Sequence, residues 1–278
     1  MSEETPATSP SKPYNWRLLL ILVAAILISV ILLTPYALTL QAETLKEVEL
    51  PVPLNILLPF QWLQTTLQYG FLAALGLLIA GRLGLGLPFL ESLLARKPDW
   101  QLVRKFIGWA ILAGVLVGVA ILLLDLVVFA PAVTAEMEQL GQAVPETSAV
   151  APPAWQGFLA SFYGGVTEEI LLRLFALSLF AWLGRFLNRT VDNRPGRAAL
   201  WAANILAAVL FGLSHLPATA AAGLPLTGLV ITRAIVLNGL AGLVFGRFYW
   251  TYGLEAAMVS HFATDMVLHV ITPLLAGR

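Results

Sequence analysis

Residues 158–183 read FLASFYGGVTEEILLRLFALSLFAWL, an apolar run interrupted by Glu168, Glu169 and Arg173. A helix needs roughly 20 apolar residues to cross a hydrocarbon core about 30 Å thick, and this run is long enough. Charged side chains at that depth are costly, so adjacent carboxylates there mark a functional-site candidate by default. The three histidines of the chain, His215, His261 and His269, also fall in apolar segments. Acid and imidazole together at membrane depth suit proton-transfer chemistry.

The rest of the chain fits that reading. It is 59% hydrophobic and 12% charged, with a mean hydropathy of +0.83, which excludes an ordinary soluble domain. The apolar runs are continuous rather than alternating, which argues against a β-barrel. The expected fold class is therefore all-α, a polytopic bundle of about seven transmembrane helices. Spans are expected near 17–41, 55–81, 105–131, 155–183, 198–217, 225–247 and 254–274, with a short interfacial helix from Phe89 to Arg96. The first span is too long for a signal-peptide core and has no convincing small-x-small cleavage site, so it reads as an uncleaved anchor. A formal net charge of zero gives no pointer to a nucleic-acid partner, and the absence of cysteine removes disulfides and thiolate chemistry.

Charge between the spans sets the expected orientation. Lys12, Arg17, Arg82, Arg96, Lys97, Arg104, Lys105, Arg185, Arg189, Arg194, Arg197 and Arg247 fall in one set of loops. The other set holds Lys46 and Arg278, with acids including Glu43, Glu47, Glu136, Glu138 and Glu146. A multi-pass protein of a prokaryotic-type plasma membrane with a cytoplasmic N-terminus follows. Three units are expected: a disordered tail over 1–16, a three-span scaffold over 17–150 with a cytoplasmic loop at 83–104, and a core over 151–278.

The polar residues of the core fall into motifs. On an α-helix Arg173 lies four residues beyond Glu169 and five beyond Glu168, so Glu169 is the better ion-pair partner. Glu168 is then left to point into a cavity. A cluster that only stabilises packing, or a cation site, competes with this; the second glutamate favours chemistry. Phe211 and His215 share a helical face at i, i+4, so the phenyl ring can orient the imidazole, although a lone histidine is more often a packing residue. His261 and Asp265 repeat that spacing, and His269 extends the stripe as an interfacial or packing residue. Arg233 and Asn238 lie outside these motifs. Arg233 is expected to pair with Asp125 across helices rather than to bind a substrate carboxylate, because a charge in lipid seeks any partner.

Taken in order, Glu168-Glu169-Ile-Leu-Leu-Arg173, Phe211-Gly-Leu-Ser-His215 and His261-Phe-Ala-Thr-Asp265 resemble the CAAX prenyl endopeptidase and bacteriocin-processing (CPBP, or Abi) family. That family includes the type II CAAX prenyl proteases, which are glutamate-dependent intramembrane proteases. Its pattern is E-E-x-x-x-R, F-x-x-x-H and H-x-x-x-[N/D], and the resemblance covers about residues 151–275. It implies that Glu168 and His215 activate a water while His261 and Asp265 stabilise the oxyanion, with Glu169, Arg173 and Phe211 in support. Most CAAX-type members carry asparagine at the last position. An aspartate donates only when protonated, so either a neutral Asp265 donates or it orients His261.

The resemblance implies a membrane-associated or lipidated peptide as substrate, in contact with membrane lipid, and no cofactor. Zinc stays open, because Glu168, His215, His261 and Asp265 are zinc ligands by type. The sequence carries no H-E-x-x-H, G-x-S-G or G-x-G-D motif, so metallo-, rhomboid-like serine and presenilin-like aspartyl designs lose ground. A non-catalytic scaffold of the same fold remains the alternative from another class. A transporter is disfavoured by the lack of an obvious inverted repeat.

Overall fold

The computed structural model describes residues 15–47, 51–141 and 152–277. Most of the expected tail, with Lys12, therefore lies outside the described residues, as do Glu146 and Arg278. The spans are numbered here as α1 (Trp16–Leu40), α2 (Leu54–Leu83), α3 (Trp100–Leu124), α4 (154–184), α5 (Arg197–Ser214), α6 (Gly228–Tyr252) and α7 (Leu254–Asp265). Six helices are long and apolar enough by themselves to cross a membrane. The remaining expected span is α4, a continuous helical run in which α-turns give way to π-turns at Tyr163–Glu168 and Ile170–Leu177. The fold is an all-α, multi-pass membrane bundle. A short helix is present at Pro88–Leu94, close to the expected Phe89 to Arg96.

Local chemistry places the helix ends. The Asn15 side chain accepts from the Leu18 N–H at 3.3 Å and starts α1. Asp99 does the same for Leu102 at 3.0 Å and starts α3. Thr227 Oγ1 accepts from Val230 N–H at 3.2 Å and starts α6. Each satisfies a backbone donor left free in the first turn. Gly84 closes α2 in the left-handed region at φ 73°.

Small residues let the helices approach closely, the usual device where lipid supplies no hydrophobic drive between them. Gly114 and Gly118 of α3 face the backbone of α7 at Ser260 and Thr264, and Thr264 Oγ1 donates to the Gly114 carbonyl at 2.9 Å. Gly212 of α5 lies against Ile235 of α6, while Asn204 donates across the same pair to the Leu243 carbonyl at 2.9 Å. Large apolar side chains such as Phe71, Trp109 and Leu116 are exposed on the outside, as a lipid-facing surface requires.

A β-carbon at Gly114 would collide with the Ser260 carbonyl, whereas Gly108 on the same helix is exposed and open. Gly114→Val is expected to lower stability by about 1–3 kcal/mol, the usual cost of overpacking, with Gly108→Val near neutral. Thermal unfolding of the two variants in one detergent makes the comparison.

The two ends of the bundle differ. At one, the Leu254 N–H donates to the Gly86 carbonyl at 2.9 Å and Glu255 accepts from the Leu90 N–H at 2.8 Å. Arg194 lies beside Gly84 there, so the basic loops gather at that end. At the other end Thr227 donates to Glu136 at 2.7 Å, and Gly157 of α4 abuts the His269 carbonyl. The short helix Pro88–Leu94 sits over the α6–α7 turn, with Pro88 against Gly253. Residues 254, 256 and 257 are fully buried, so α7 starts inside the protein rather than at its edge. That displacement brings His261 level with the middle of α4.

Candidate active site

Glu169 and Arg173 form the floor. Both are buried, at 0% and 1% exposure, and Arg173 Nη1 lies 2.9 Å from Glu169 Oε1. Arg173 also donates from Nη2 to the Gly242 carbonyl at 3.3 Å. Its guanidinium sits over the Phe211 and Phe245 rings, 4.9 and 5.2 Å from their centroids. The pairing inferred from spacing is therefore present. It also serves a role that spacing did not show: Glu169 Oε1 accepts a 2.7 Å hydrogen bond from His261 Nδ1. Glu169 thus ties the cation of α4 to the imidazole of α7.

With Nδ1 bound to Glu169, the other ring nitrogen of His261 is fixed in direction. Phe245 stacks on the ring at 4.5 Å with an interplanar angle of 19°, and Phe211 meets it edge-on at 5.5 Å. His261 Nε2 faces two carboxylates, Glu168 Oε2 at 3.7 Å and Asp265 Oδ1 at 3.6 Å. The Glu168 side chain is 20% exposed where that of Glu169 is 0%. The two adjacent glutamates therefore differ, one sealed in the floor and one partly exposed.

His215 stands one ring away. Phe211 meets it edge-on at 4.8 Å and is the same ring that touches His261. The Nδ1 of His215 donates to the Phe211 carbonyl at 2.9 Å, which leaves Nε2 unprotonated in the neutral ring and without a hydrogen bond among the described residues. That is the tautomer a base requires. His215 makes no direct hydrogen bond to Glu168 or His261 there; it flanks the cluster from the end of α5.

The remaining candidates lie apart. Arg233 grips Asp125 with two parallel hydrogen bonds, Nε to Oδ1 at 2.6 Å and Nη2 to Oδ2 at 2.7 Å. It is a cross-helix pair, and the Asp125 side of it opens a π-turn at Asp125–Phe129. Asn238 donates to the carbonyl one turn back, Ala234, at 2.9 Å. Among the described residues, no three His, Asp or Glu side chains are arranged to hold a metal ion.

The α-helical register behind the spacing argument needs correction. Glu168 lies in one π-turn segment and Arg173 in the next. Such i→i+5 turns are rare and frequent at functional sites. They bring residues five apart into line, so Tyr163, Glu168 and Arg173 are electrostatic neighbours in succession. Tyr163 is also an electrostatic neighbour of Tyr69 of α2, and the Thr167 and Ser29 hydroxyls of α4 and α1 share a hydrogen bond at 2.5 Å. None of these supporting residues was anticipated. Gly164 offered the one local signal: a β-carbon there would strike the Asp265 carboxylate and His261 Nε2, so only glycine admits α7 this close.

The matching of families follows the same helices. Residues 150–267 match the family model described as type II CAAX prenyl endopeptidase Rce1-like. Over those residues the chain is similar to the CPBP/CAAX protease family. Comparison with curated proteins and with solved structures finds no match. The CPBP match takes in α4 to α7 as far as Val267. Spans α1 to α3 lie outside it, although Ser29 and Tyr69 reach the polar cluster from them.

Proposed function

We propose that the chain is a glutamate-dependent intramembrane endopeptidase. The observation that carries this is the convergence of Glu168 Oε2 and Asp265 Oδ1 on one ring nitrogen of His261, whose other nitrogen is held by the buried Glu169–Arg173 pair. In this reading Glu168, assisted by His215, takes a proton from water, and the water oxygen bonds to the scissile carbonyl carbon. His261 and Asp265 stabilise the oxygen that becomes negative, as placed donors in a dry site do strongly. Because His261 Nδ1–H is bound to Glu169, donation from Nε2 requires the doubly protonated ring, and donation from Asp265 requires its neutral acid. Collapse breaks the C–N bond, and the proton on Glu168 passes to the leaving amine. The products are a carboxylate and an amine.

The substrate in this reading is a membrane-associated or lipidated peptide, and the N-terminus of the enzyme faces the cytoplasm. The catalytic assignments are Glu168, His215, His261 and Asp265; Glu169, Arg173 and Phe211 position them. The zinc alternative has no arranged ligand set among the described residues, and metal addition to chelated protein tests it directly. Comparative membrane proteomics of cells carrying wild-type or Glu168→Gln protein tests the main reading. Peptides trimmed only with wild type are expected. If the two membrane peptide sets are the same while the variant is present at wild-type level, the protein is a scaffold of this fold.

A further inference from the structure

The polar groups about Glu168 are not spread evenly. Toward the basic end the path is closed. Glu169 and Arg173 are buried beneath Phe211 and Phe245. Behind them Ser178 and Tyr249 bond to each other at 2.8 Å, both buried, and Leu177 and Leu254 are sealed at 0% exposure. The helix Pro88–Leu94 then covers the α6–α7 turn.

Toward the opposite end the polar groups continue. Asp265 and His269 follow His261 at intervals of four residues, about 6 Å apart along a helix axis. Side-chain exposure rises from 5% at His261 to 11% at Asp265, and His269 is partly exposed. The hydroxyl of Tyr36, near the far end of α1, lies 3.3 Å from His269 Nδ1, with the rings edge-on at 5.7 Å. Tyr36 is an electrostatic neighbour of Asp265, and His269 is one of both His215 and His261. His215 itself stands at the end of α5 on that side. Tyr36 and His269 both fall outside the region matched to the family. A file of polar groups leading outward through an apolar bundle is costly to maintain unless water or a polar ligand occupies it.

We propose that the site is reached from the face opposite the basic loops, through a crevice whose mouth is formed by His215, His269 and Tyr36. By the charge asymmetry of the loops that face is extracytoplasmic. Resting on the protease reading, the substrate is then a peptide segment presented from the extracytoplasmic leaflet, not a chain modified at the cytosolic face.

The absence of cysteine makes the test direct. Single-cysteine variants His269→Cys and Tyr36→Cys are treated with a membrane-impermeant maleimide in right-side-out and inside-out vesicles. Val191→Cys, fully exposed in a basic loop, reports the cytoplasmic face, and Ala181→Cys, fully buried, reports background. Both crevice variants are expected to label at least about tenfold faster in right-side-out vesicles, since thiol reactivity follows access, while Val191→Cys labels faster in inside-out ones. Labelling of the crevice variants from the basic face, from both faces equally, or at the rate of Ala181→Cys overturns the proposal. Val191→Cys labelling from outside overturns the assignment of the face. None of these outcomes depends on turnover, so failure here is distinguishable from failure of the Glu168→Gln test.

Discussion

Glu168→Gln is expected to lower kcat for peptide hydrolysis by about two to four orders of magnitude, the contribution of a positioned general base. The substitution keeps the size of the side chain and removes only its ability to take a proton. Glu168 is the partly exposed member of the pair and makes no ion pair with Arg173, so stability should change little. KM should also change little, because the oxygen still faces His261 Nε2 across the same crevice. The assay is cleavage, by purified protein in proteoliposomes, of a quenched peptide taken from the segments that the membrane proteomics finds trimmed only with wild type. Retention of more than about a tenth of wild-type kcat would rule Glu168 out as the base, given the size of general-base effects. His215→Ala serves as a companion, expected to lose activity without losing the Glu169–His261 bond, since the two are separated by the Phe211 ring.

Arg173→Met is expected to cost about 3–5 kcal/mol of stability, because removing one partner of a buried ion pair leaves the other charge uncompensated. The guanidinium is 1% exposed, between two phenyl rings and against Glu169. The double variant Arg173→Met, Glu169→Leu removes both charges together. Replacing a whole buried pair by apolar side chains is often neutral, so the double variant should recover most of the loss. It should not recover activity, because His261 Nδ1 then has no acceptor and the direction of Nε2 is no longer set. Equilibrium unfolding in detergent measures the first effect and peptide cleavage the second. A single variant as stable as wild type would mean that the pair contributes nothing to folding; an active double variant would mean that Glu169 does not orient the imidazole.

The spans were readable because a helix in lipid must satisfy its backbone internally, so apolar run length alone carries the information. The expected span 55–81 becomes Leu54–Leu83 and 254–274 becomes Leu254–Leu275. The Arg233–Asp125 pair was readable for a related reason, since each is costly without the other at that depth. That Glu169 rather than Glu168 pairs with Arg173 was readable from the four-residue spacing. What escaped was nonlocal. Nothing in residues 254–265 announces that a helix from residue 88 will cover their start and set His261 deeper than its place in the span suggests. The π-turns of α4 escaped as well, because one altered hydrogen-bond step leaves no mark in composition beyond the two glycines at 164 and 165. Tyr36 could not be linked to His269 from sequence, since nothing within either span points to the other.

The strap at the basic end fixes where α7 begins. Gly86 holds its first residue and Glu255 reaches back to Leu90, so the base is clamped. Its tip runs through the π-turn Met266–Ile271 before the last helical residues Thr272–Leu275. That far stretch is held as well: the His269 carbonyl rests against Gly157, and its ring nitrogen lies 3.3 Å from the Tyr36 hydroxyl. The helix is thus held at both ends, which keeps the His261 imidazole in register with Glu169 while the groups around it react.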